Sequence, residues 1–122
     1  RKAAQRRLAG VLLDQMAALP GVPLQLPWPR SADAQELAVK LQAEPGLSLA
    51  ATAGRQQRTL ERRFREETGL SLGAWQRRLR LRVALEGLAE GRPVREVAAR
   101  CGYNGASAFV AMFRREFWGE AE

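Results

Sequence analysis

The sequence predicts an all-α chain. Two helix-turn-helix subdomains are joined by a long linker helix, and an N-terminal amphipathic helix and a Pro-rich connector stand in front. Three observations carry this. Ala, Leu, Arg and Glu are abundant while Val, Ile and aromatic residues are few, the balance of a helical protein rather than a strand-built one. A short helical pattern, a glycine and a second helical pattern occur twice. Between the two copies lies a run that is apolar on two faces, as a helix packed on two sides must be. With 122 residues the chain holds one domain or two very small ones.

Residues 1–19 place Leu8, Val11, Leu12, Met16 and Leu19 at helical spacing, with Arg1, Lys2, Arg6 and Arg7 at the start. Pro20, Pro23, Pro27 and Pro29 then exclude a helix, so the chain is extended, and Leu24, Leu26 and Trp28 lay it on a surface. Ser31 is an N-cap, with Asp33 and Glu36 in the first turns and Leu37 and Leu41 on one face. Glu44-Pro45-Gly46 ends that helix. A short helix over 47–54 follows, and Gly54 supplies the turn. The next helix runs over about 56–68, with Leu60 and Phe64 inward and Gly69 closing it.

Ser71 caps the linker helix, which extends to about Gly91. Leu72, Trp75, Leu79 and Val83 form one stripe, and Leu81, Leu85 and Leu88 another. The pattern then repeats: a short helix over 94–102 with Val97 and Ala98 inward, a turn at Gly102-Tyr103-Asn104-Gly105, and a helix over 105–117 with Phe109, Met112, Phe113 and Phe117 inward. Ala98 and Gly102 repeat the spacing of Ala50 and Gly54, while Phe109 falls one position later than Leu60 did. The expected division is therefore 1–30 (linker), 31–70 (first subdomain), 71–91 (linker helix) and 92–122 (second subdomain).

Charge narrows the function. The net charge is +7, and the stretch from Arg55 to Arg82 holds nine arginines against Glu61, Glu66 and Glu67. A basic helix after a tight turn is a candidate reader of nucleic acid, and Arg offers bidentate contacts to phosphate and guanine. With no His, one Cys and no convergent carboxylates, neither an enzyme, nor a metal site, nor a disulfide framework is expected. No cofactor is implied. No apolar run is long enough to span a membrane, and a cytoplasmic location is expected. Cys101 beside Gly102 reads as a small buried residue. The chain opens at Arg1 without Met, and the expectation is a fragment of a longer protein.

The stretch Arg58-Thr59-Leu60-Glu61-Arg62-Arg63-Phe64-Arg65-Glu66-Glu67-Thr68-Gly69-Leu70-Ser71 resembles the DNA-binding domain of the AraC/XylS family of bacterial transcription regulators. So do Arg78-Leu79-Arg80-Leu81 with Ala84, and Val97-Ala98 with Gly102-Tyr103, Ser107, Phe109 and Phe113-Arg114. The resemblance covers about 31–118. It implies that the two recognition helices enter successive major grooves of double-stranded DNA, about 34 Å apart. By matching positions, it makes Arg58, Glu61 and Arg62 the base readers of the first unit, and Asn104, Ser107, Ala108 and Ala111 those of the second. Gln57, Arg65, Arg78, Arg114 and Arg115 are the candidate phosphate contacts. The leading helix and connector look like the linker of members carrying an N-terminal cupin-type sensor domain. That implies an unread effector, contact with RNA polymerase as activator or repressor, and the prospect of a homodimer of the full-length protein.

Three departures from the family pattern bear on the fold. Pro45-Gly46-Leu47 opens the first short helix, Arg55-Gln56 stands where a Ser cap is usual, and Trp118-Gly119-Glu120 lacks the usual following Pro. The competing reading is a basic helical module that binds an acidic protein partner, with the arginines as a steering surface.

Overall fold

The computed structural model of the chain describes residue 7 and residues 25–118, and side chains through 115. The helix expected over 1–19, the front of the connector and the inward placement of Phe117 lie outside the described residues and side chains. Among the described residues every regular element is helical: α1 (Ala32–Ala43), α2 (Leu49–Ala53), a 3-10 turn (Gly54–Gln56), α3 (Gln57–Thr68), α4 (Leu72–Ala89), α5 (Val94–Arg100) and α6 (Ala106–Trp118). No described helix is long and apolar enough to cross a membrane. The chain forms two compact units, one over Gln25–Arg80 and one from Leu81 onward.

In the first unit, α1 buries Ala34, Leu37, Ala38 and Leu41, the i, i+3, i+4, i+7 stripe of a helix with one inward face. Ser31 occupies the N-cap position in extended backbone, but its side chain does not cap. Asp33 takes the neighbouring amide instead, its Oδ1 accepting from the Ala34 N–H at 2.9 Å. The second helix begins two residues later than the sequence suggested. Ser48 is the reason: its Oγ accepts from the Ala51 N–H at 3.4 Å, which leaves Leu47 in the preceding turn. Gly54 then adopts φ 53 with ψ −128, a combination closed to ordinary L residues.

The absent Ser cap before α3 has a visible consequence. Gln56 makes no capping bond, and a 3-10 turn precedes the helix, with the Gln57 N–H donating to the Gly54 carbonyl. Leu60 and Phe64 point inward as expected, and Phe64 is fully buried. Its ring meets Trp75 edge-on, with centroids 5.3 Å apart. The first half of α4 closes this core with Leu72, Trp75 and Leu79. Gln76 is the one buried polar side chain among the described residues. Its Nε2 donates to the Pro45 carbonyl at 3.0 Å and to the Leu47 carbonyl at 2.7 Å, so its burial carries no unmet donor.

The second unit is built on Leu81, Ala84 and Leu88 from the rest of α4, with Val94, Val97, Ala98 and Cys101, and with Phe109, Met112 and Phe113 from α6. The short α5 stops at Gly102, whose φ of 89 lets the Gly102 N–H reach the Ala99 carbonyl and the Tyr103 N–H reach the Ala98 carbonyl. This paired closure needs the left-handed backbone that glycine adopts at no cost. Cys101 is fully buried in this core.

One close approach in this unit has a testable sign. Gly87 is buried in α4, and a Cβ placed there would lie 2.9 Å from Val97 Cγ2. Helix propensity favours Gly87→Ala by about 1 kcal/mol, while overpacking costs about 1–3 kcal/mol. Val97 is buried and its χ1 is fixed by its branched Cβ, so it cannot turn aside. Gly87→Ala should therefore lower stability by up to about 2 kcal/mol in urea unfolding, at unchanged slope.

Candidate nucleic-acid interface

At 100° per residue, Glu61, Arg65, Arg58 and Arg62 fall within one arc of α3, opposite Leu60 and Phe64. All four are exposed. Together with Ser71, Leu72 and Gly73 they border an open concavity of about 500 Å³. Glu61 accepts from Gln57 Nε2 at 3.3 Å, rather than from the Arg65 that stands at the same i, i+4 reach. Among the described residues, no side-chain hydrogen bond or ion pair engages Arg58, Arg62 or Arg65.

Other arginines of the same run are engaged within the unit. Arg63 pairs with Asp33 at the start of α1. Arg80 Nε donates to the Pro45 carbonyl at 2.9 Å. Arg78, expected on phosphate, is half-buried, and its Nη1 donates to the Gln25 carbonyl at 3.0 Å. On the helical wheel Arg63 lies on one flank of α3 as Glu61 lies on the other, so the wheel alone does not foretell the pair with Asp33. Nothing in the spacing foretells the bonds of Arg78 and Arg80.

The corresponding arc of α6 is different in kind. Ser107, Ala108, Ala111, Arg114 and Arg115 are exposed, as is Asn104 in the turn before it. Only Ser107 and Asn104 can hydrogen-bond to a base edge near the start of this helix, and two alanines occupy its centre. Tyr103 and Phe109 pack edge-to-face at 6.0 Å beneath the turn.

Two carboxylates hold the back of α3: Glu67, to which the sequence gives no role, and Asp33, which reads only as a first-turn acid. Glu67 Oε1 accepts from the Ser31 N–H at 2.9 Å, the Arg30 N–H at 2.7 Å and Ser31 Oγ at 3.1 Å. The Ser31 amide first, with Arg30 and the Ser31 hydroxyl, holds the Glu67 carboxyl below its ordinary range against the opposing effect of burial. The Arg63 guanidinium does the same for Asp33.

Tight-turn helix pairs with an exposed basic second helix define this fold as the helix-turn-helix domain of DNA-binding regulators. A helix-turn-helix domain family matches residues 49–118, and the chain belongs to the AraC/XylS family. It is 37% identical over 116 residues to the HTH-type transcriptional regulator NimR of Escherichia coli, a match over 90% of this chain and 42% of that protein. It is also 39% identical over 61 residues to the HTH-type transcriptional activator RhaS of Escherichia coli, a match over 49% of this chain and 22% of that protein. The chain thus spans less than half the length of these relatives. No solved structure matches it significantly.

Because both carboxyls are held low in the folded chain, their stabilisation is complete above the ordinary carboxylate range of about 4. It is lost as pH falls through that range toward the lower folded values. Thermal midpoints followed from about pH 6 to about pH 2 should drop on this limb, and the drop should be shallower in Glu67→Gln and in Asp33→Asn.

Proposed function

We propose that this chain is the DNA-binding part of a longer transcription regulator and that it reads double-stranded DNA with α3 and α6 in successive major grooves. The observation that supports it best is the outward arc of α3: three arginines without partners among the described residues surround one carboxylate at an open concavity. Arg58 and Arg62 take guanine edges, and Glu61 accepts from cytosine N4. Gln57 and Arg65 contact phosphate, as does Arg78 through the nitrogens not bound to Gln25. In the second unit Ser107 and Asn104 touch bases weakly, Ala108 and Ala111 offer apolar contact to a thymine methyl, and Arg114 and Arg115 hold phosphate. The first half-site is therefore the sharper one.

The names of the two relatives, a transcriptional regulator and a transcriptional activator, agree with this reading. We extend it to the longer protein: residues 1–30 connect to an N-terminal sensor domain, an effector acts there, and the bound protein contacts RNA polymerase as a monomer or a homodimer.

Selection from a random duplex library at roughly physiological salt tests the proposal. It should return two short motifs about 10 base pairs apart, the first more constrained. A salt-sensitive interaction with no motif would reduce the arginines to an electrostatic surface. Within the selected site, Arg62→Ala should cost about 1–3 kcal/mol and relax one base position. An equal loss on every sequence would assign Arg62 to phosphate alone.

A further inference from the structure

The connector is fastened to the recognition helix itself. Glu67 sits in the last turn of α3, and one carboxylate oxygen gathers the Arg30 N–H, the Ser31 N–H and the Ser31 hydroxyl. One turn earlier, Arg63 pairs with Asp33. The connector is held from other sides as well. Trp75 Nε1 donates to the Pro27 carbonyl at 2.7 Å, Gln35 Nε2 to the Pro29 carbonyl at 3.0 Å, and Arg78 Nη1 to the Gln25 carbonyl at 3.0 Å. The Trp28 ring lies against Trp75 at 5.9 Å. Proline supplies no amide donor but keeps its carbonyl, and here the Pro27 and Pro29 carbonyls are met by side chains that reach out to them.

Positions 63 and 67 are i, i+4 on one flank of α3, away from the arc of Arg58 and Arg62. Two anchors one turn apart oppose rotation of the helix about its own axis. A rotation of ~20° carries a side-chain tip ~2 Å, given the helix radius. A guanidinium on phosphate follows such a shift, while a bidentate contact to a base edge is lost.

We propose that Glu67 is a positioning residue for base reading: by holding Arg30 and Ser31 it fixes the rotation of α3, which makes the connector a working part of the reader. The proposal rests on the DNA-reading function stated above. Removing the anchor damages discrimination between sequences and leaves general affinity for DNA intact.

The experiment measures fluorescence anisotropy of the whole chain on the selected duplex and on a scrambled duplex of equal length. The readout is the ratio of the two affinities. Glu67→Ala, which removes the acceptor altogether, should lower it about five-fold or more, the value of one base contact, while scrambled-duplex affinity holds or rises because a negative charge is gone. Ser31→Ala, which leaves net charge unchanged, should lower the ratio about two-fold, with one donor lost of three. A merely structural role does not move this readout, since a reduced folded fraction weakens both duplexes equally. A parental ratio in Glu67→Ala overturns the proposal. If that variant does not fold, Ser31→Ala decides alone, and an unchanged ratio there overturns it. If the parent chain itself shows no preference, the DNA-reading function fails, and the proposal with it.

Discussion

The indole of Trp75 joins the apolar packing of the first unit to its polar connections. Its ring is fully buried, receives Phe64 edge-on, and carries Trp28 on another side. Its N–H ends on the Pro27 carbonyl. An aromatic pair of this kind adds about 0.5–1.5 kcal/mol beyond the area it buries, but the arrangement matters more than the sum. Phe64 belongs to α3, Trp75 to α4 and Trp28 to the connector. One side chain thus touches two consecutive helices and the connector that precedes them.

Arginine serves two purposes on the same short stretch. Arg63, Arg78 and Arg80 turn inward to a carboxylate and two carbonyls, where the long apolar stem packs and the fork donates. Arg58, Arg62 and Arg65 turn outward. The local positive charge is therefore not all available to a polyanion, and a count of basic residues overstates the electrostatic face. Lysine would not substitute equally at the inward positions, since the geometry there uses specific guanidinium nitrogens rather than a diffuse charge.

Much of this was legible in the residues. The two apolar faces of α4, the inward pair Leu60 and Phe64, and the turns at Gly54 and Gly102 follow from period and from backbone chemistry, which act locally, although Val83 packs on the second core rather than with Leu72, Trp75 and Leu79. The weak start of α3 was also legible, because a missing cap is a property of one or two positions. What escaped was non-local. Ser31 reads as a cap but serves Glu67, a residue 36 positions away, and the competition between a local and a distant acceptor has no sequence signature. Ser48 is the local exception: its hydroxyl starts α2 after the more conspicuous Pro45-Gly46. The exposure of Arg58, Arg62 and Arg65 on α3 follows from the wheel, whereas the fate of Arg78 depends on where the connector runs.

The separation of α4 and α5 is set by an atom that is not there. Gly87 leaves room for the methyls of Val97, and a side chain at either position consumes the volume that the other relies on. The two positions thus form a single volumetric unit. Methyl groups can be traded between them, but neither can gain one alone, and the route between tolerated combinations passes through a vacancy before it passes through a clash.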